Sequence, residues 1–67
     1  MPEILLDAIM DARTRGFEDA RPGMDDLEAF TEITRNLPPL WRKAWDLQDM
    51  NEIWDAYNEG WHSALDL

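Results

Sequence analysis

Residues 49–67 read DMNEIWDAYNEGWHSALDL, and this stretch decides the fold class. Met50, Ile53, Trp54, Tyr57, Trp61, Ala64 and Leu65 recur at intervals of three and four and fall on one face of a helix. Asp49, Glu52, Asp55, Glu59, His62 and Asp66 fall on the other. The stretch opens on Asp49-x-x-Glu52, in which the aspartate can accept from unpaired backbone N–H groups while the glutamate reaches back. The spacing predicts an amphipathic helix. Downstream of Lys43 there is no lysine or arginine, only six acids.

Upstream the same periodicity recurs in shorter pieces. Glu3 to about Arg15 reads as a helix with Leu5, Ile9 and Ala12 on one face, and Pro2 suits its first turn. Gly16 is placed to end it, Arg13 and Arg15 to meet the negative end of its dipole, and Phe17 to fold back on the last turn. Glu18 to Gly23, with Arg-Pro-Gly, reads as a loop. Asp25-x-x-Glu28 repeats the capping pattern before a second helix from about Asp26 to Asn36, striped by Leu27, Phe30 and Ile33. Leu37-Pro38-Pro39-Leu40 stops it. A third, short helix is expected from Pro39 to Asp46 or Leu47, and the Asp49 cap favours a break before the fourth. Trp41, following the Pro-Pro break, is the tryptophan expected to be exposed, if any is. Gly60 beside Trp61 is read as allowing close helix approach. The expectation is a single all-α domain spanning residues 1–67, a compact small bundle of three long helices and one short.

Size and composition narrow the function. A chain of 67 residues supports one small core. It has no cysteine, which removes disulfides, thiolate metal sites and thiol chemistry. At 45% hydrophobic it is expected to fold despite its charge. Met1-Pro2-Glu3 shows no basic, apolar leader pattern, so a cytoplasmic protein is expected, in a bacterial host if phage-encoded. Fifteen acids against six bases give a net charge of −9. That balance disfavours nucleic acid and anionic lipid, both polyanions, and favours a basic protein partner.

Much of the acidity has a structural explanation. Glu3, Asp25, Asp26, Glu28, Asp49 and Glu52 lie near helix starts, where a carboxylate contributes roughly 0.3–1 kcal/mol. Asp11 can pair with Arg15, Glu32 with Arg35 and Asp46 with Arg42. The rest lacks such an account. Asp7 with Asp11, and Asp55 with Glu59, are like charges one turn apart, and Asp66 sits at the unfavourable end of a helix dipole. Glu52, Asp55 and Glu59 have no cation three or four residues away. They step along the axis by roughly 4.5 and 6 Å, a spacing of negative charge resembling a phosphate backbone. A solvated acidic face is the plainer explanation, but charge this dense and unmatched is unusual on a surface shaped by stability alone. The candidate partner-binding residues are therefore Glu52, Asp55, Glu59, Asp66, Asp7 and Asp11.

Other chemistry finds no support. Glu59-x-x-His62 is half of a di-iron carboxylate motif, yet the chain has a single histidine and both residues fall on the polar face. No Ser–His–Asp arrangement, phosphate loop or calcium loop can be written through the sequence. No catalytic residue, metal ligand or cofactor is expected, and the protein is not expected to be an enzyme.

Residues 57–65, Tyr-Asn-Glu-Gly-Trp-His-Ser-Ala-Leu, resemble a C-terminal pattern of small phage-encoded proteins: an aromatic, Glu-Gly-aromatic, then Ala-Leu. In length, acidity and lack of catalytic motifs the chain is similar to small anti-CRISPR proteins directed at type I surveillance complexes. That resemblance implies a DNA-mimic-like inhibitor whose acidic face occupies a basic nucleic-acid channel. The alternative is a structural or adaptor module of a phage or bacterial assembly that uses exposed tryptophan and leucine faces. A homo-oligomer is compatible with either.

Overall fold

Small residues recur every fourth position on two of the predicted helices, Ala8, Ala12 and Gly16 on one and Ala56, Gly60 and Ala64 on the other. A stripe of that kind lets two helices approach almost backbone to backbone. In the computed structural model, which describes residues 3–46 and 50–66, that approach organises the fold. The helices are α1 (Glu3–Asp19), α2 (Asp26–Thr34), α3 (Pro39–Asp46) and α4 (Met50–Leu65). α1 and α4 share the most extensive contact, with α3 against α1 and α2 against α4.

The all-helical expectation holds, and the helix lengths need correction. α1 and α4 are long at 17 and 16 residues, whereas α2 and α3 are short at 9 and 8. α1 does not stop at Gly16 but runs to Asp19, because Gly16 is used for packing and not as a terminator. Arg13, Arg15 and Phe17 therefore lie inside the helix, and Phe17 remains 45% exposed. The carbonyls at the end of α1 are met instead by Arg21, whose Nη1 donates to Glu18 O and Ala20 O at 3.2 and 3.1 Å. Pro22-Gly23 then turns the chain. Met24 N donates to Arg21 O and Gly23 sits at φ +84°, a type II arrangement in which proline precedes the residue that needs positive φ.

α2 starts where the capping pattern places it. Asp25 is extended, and its side chain accepts from Leu27 N at 3.1 Å. It ends two residues short of expectation, with Arg35 N and Asn36 N turning back to Glu32 O and Ile33 O. α3 opens on Pro39, and Pro38 O accepts the first helical bond from Arg42 N at 3.0 Å. The expected Pro2 start, the Asp49 cap and the junction between α3 and α4 lie outside the described residues.

Helices of eight or nine residues are not stable alone. What holds α2 and α3 is an aromatic cluster centred on Phe30. Its ring lies 4.9 Å from Trp54, 5.4 Å from Tyr57, 6.0 Å from Trp41 and 6.4 Å from Trp45, centroid to centroid. Those separations are within the range of favourable edge and offset contacts. Tyr57 extends the cluster to Trp61 at 6.0 Å. Trp41, the tryptophan expected at the surface if any were, is fully buried, as are Tyr57 and Ile53. α2 and α4 run in opposite senses, since Asp26 meets Asn58 and His62 while Phe30, one turn on, meets Trp54 and Tyr57.

At the α1–α4 crossing there is no room for a side chain. A Cβ on Gly60 would stand 2.0 Å from Arg13 O, and one on Gly16 would stand 2.1 Å from Tyr57 O. Both obstacles are backbone, so no rotamer change relieves them. Glycine to alanine inside a helix ordinarily stabilises by about 1 kcal/mol. Here the sign inverts: Gly60→Ala and Gly16→Ala are expected to cost at least ~2 kcal/mol each, a large part of the stability of so small a domain. Denaturant unfolding followed by circular dichroism checks this. A variant as stable as the parent means the helices do not meet this closely.

Candidate functional site

The six candidate acids divide between two surfaces. Glu52, Asp55, Glu59 and Asp66 lie along the outward side of α4, within roughly 60° of arc at about 100° per residue. All four are exposed. Asp7 and Asp11 lie on the flank of α1 that faces α3, because Asp11 Oδ2 accepts from the Trp41 indole Nε1 at 2.7 Å. Arg13, on the opposite flank of α1, reaches α4, with Nη2 3.5 Å from Glu59 Oε2. The fold thus brings the α4 acids into one row and leaves the two α1 acids elsewhere.

Their partners differ as well. Asp7, Glu52, Asp55 and Asp66 make no side-chain hydrogen bond or ion pair with the described residues. Glu59 has the Arg13 contact, between groups 67% and 50% exposed, and such pairs contribute only about 0–1 kcal/mol. The cation that spacing along α4 could not provide comes from α1. Asp11 does structural work, since the buried indole N–H of Trp41 has its acceptor there. Arg15 consequently pairs with Asp19, at 3.5 Å, and not with Asp11. Glu32–Arg35 forms as expected at 3.2 Å, while Arg42 and Asp46 do not come within ion-pair distance.

Two further acids anchor polar tips of the core. Asp19 Oδ2 accepts from the Tyr57 hydroxyl at 3.0 Å. Asp26 Oδ1 accepts from Leu27 N at 2.8 Å, and its Oδ2 accepts from Asn58 Nδ2 and lies 3.3 Å from His62 Nε2. Asp11, Asp19 and Asp26 therefore tie α3 to α1, α4 to α1 and α2 to α4. Sequence reading missed Asp19 and Asp26 in this role because each partner lies more than thirty positions away. Every described buried side-chain polar atom finds a partner.

Glu59 and His62 turn to different helices, Arg13 of α1 and Asp26 of α2, which separates the two residues of the di-iron half-motif. Among the described residues no three His, Asp or Glu side chains gather as a metal site. No described helix is long and apolar enough to cross a membrane. Comparison of the chain with family models, curated proteins and solved structures finds no match.

Burial holds the Tyr57 hydroxyl far above its ordinary ionisation range, and the hydrogen bond to Asp19 and the charge of that carboxylate add to the shift. The folded state favours neutral tyrosine. The contribution is therefore complete below the unfolded value, about 10, and shrinks as pH rises beyond it. Tyr57 is the only tyrosine, so tyrosinate absorbance reports it alone. Tyrosinate is expected to form together with unfolding in the parent, and alkaline destabilisation is expected to be shallower in Tyr57→Phe. Asp11→Ala, which strands a buried indole N–H, is expected to cost about 1–3 kcal/mol, and Asp11→Asn less. Thermal melts of the pair check it.

Proposed function

We propose that this protein is an inhibitory binding protein that acts by occlusion and not by catalysis. The acidic row of α4 occupies a basic nucleic-acid-binding surface of a target such as a type I CRISPR surveillance complex. The observation that carries the reading is the unmatched charge of Glu52, Asp55 and Asp66. Side chains that make no hydrogen bond or ion pair with the described residues, yet set like charge beside like, are better explained by an external cation than by tertiary stability. Glu52 adds only the usual preference for an acid in a helix's first turn.

The physical consequences are specific. Negative charge spaced along a rigid helix attracts lysines and arginines that otherwise hold phosphates, and it speeds encounter over distances set by the Debye length. Association is then fast at low salt and weakens as salt rises. Bound in this way, the protein competes with nucleic acid and needs no cofactor or bond-making step. Glu59 can join by exchanging Arg13 for a cation of the target. Asp7 and Asp11, on the other flank of α1, contribute only to the long-range field. A cytoplasmic location in a bacterial host follows from such a target.

The adaptor reading, built on exposed tryptophan and leucine faces, loses Trp41 and Trp61 to the core but keeps Leu6, Leu27 and Leu65 at the surface. The decisive measurement is DNA binding by a type I surveillance complex in the presence of this protein. Parent protein is expected to displace DNA at about 50 mM salt and much less at about 500 mM. Glu52→Lys with Asp55→Lys is expected to weaken inhibition roughly tenfold or more, with stability unchanged within about 0.5 kcal/mol. Inhibition that survives the charge reversal removes the acidic row from the mechanism.

A further inference from the structure

The surface feature that folding explains least is on α1. Leu6, Met10 and Phe17 are 48%, 57% and 45% exposed. At helical spacing they fall within roughly 40° of one another and extend over about 16 Å. The aliphatic stem of Arg13 continues the stripe between Met10 and Phe17, while its guanidinium is drawn aside to Glu59. Large apolar side chains aligned on one face of a small, highly charged domain mark an interaction surface more often than a random exposure.

α1 and α4 run antiparallel, Arg13 and Phe17 meeting Gly60 and Asp19 meeting Tyr57. The stripe therefore lies beside the half of α4 that carries Glu59 and Asp66, while Glu52 and Asp55 lie past the end of α1. Where the two helices meet, a groove of about 310 Å³ runs between Arg13, Phe17 and Glu18 on one side and Glu59, Gly60 and Ser63 on the other. The combined face has an apolar lane, the groove, and beyond it the carboxylates of Glu59 and Asp66.

We propose that this composite face docks a basic amphipathic helix of a protein partner. The apolar side of that helix rests on Leu6, Met10 and Phe17, one side chain enters the groove between Phe17 and Ser63, and its lysines or arginines face Glu59 and Asp66. Charge complementarity selects this occupant. A nucleic acid is repelled by these carboxylates, and a second copy brings another net −9. A stripe spanning about three helical turns fits the recurring apolar anchors of a helix lying in a groove. The proposal deepens the occlusion reading, resting on its premise of a basic partner, and adds a salt-insensitive anchor that charge mimicry alone does not supply.

The test is a titration of isotope-labelled protein with four synthetic helix-forming peptides, read by amide chemical shifts. The first has leucines on one face and lysines on the adjoining flank. The second scrambles that composition, the third replaces leucine by glutamine, and the fourth replaces lysine by glutamine. The first is expected to bind roughly tenfold or more tightly than the others and to shift Leu6, Met10 and Phe17 together with Glu59 and Asp66. Phe17→Glu, and independently the more exposed Met10→Glu, are expected to weaken it by a similar factor with helical circular dichroism retained. Equal binding of the first three overturns the composite face and leaves the acidic row standing. Equal binding of the first and fourth overturns the basic-partner premise under both readings, as does no binding by any peptide. Sedimentation showing a dimer that Phe17→Glu dissolves assigns the stripe to a second copy and overturns the proposal.

Discussion

The contact between α1 and α4 at Gly16 and Gly60 is the constraint on which the rest depends. Backbone atoms of each helix occupy the space that a Cβ of the other would need. An approach this close aligns the small faces of both helices, Ala8 and Ala12 with Gly16, Ala56 with Gly60, and seals them from water. Two helices of 17 and 16 residues so joined form a frame on which shorter elements can assemble. α2 and α3 are too short to hold their own conformation and take their stability from burial against that frame.

The burial is aromatic, and aromatic cores have a polar problem. Tryptophan and tyrosine bring large apolar area but carry an N–H or O–H that loses water when buried. Here carboxylates supply acceptors at the edge of the core: Asp11 for Trp41 and Asp19 for Tyr57. Asp26 likewise accepts from Asn58. Each joins two helices, so the same acids that contribute to the negative charge also fix how the helices pack. An acid-rich composition and an aromatic core are in this sense one arrangement.

Three acids used this way sharpen the contrast with Glu52, Asp55 and Asp66, whose side chains join no other described residue by a hydrogen bond or ion pair. Their row runs along the outward side of α4, and its C-terminal part, with Glu59 and Asp66, lies beside the exposed apolar lane of α1. The close helix crossing is again the cause. Because the two backbones approach so closely, the apolar lane of α1 lies next to Glu59 and Asp66 across a shallow groove.

The sequence by itself determined the helical class, the start of α2 at Asp25, the Pro38-Pro39 break and the acidic face of the last helix. All of these rest on interactions within a few residues along the chain, where 3.6-residue periodicity and capping act. Tertiary structure alone decided that Gly16 lies inside a helix, since only a facing backbone turns a terminator into a contact point. It also decided that Trp41 is buried, because its indole needed an acceptor thirty positions away on α1. The same holds for Asp11 and Glu59, whose roles were set by Trp41 and Arg13 across the fold. A side chain's neighbours three or four residues away are legible in its sequence; those brought to it by packing are not.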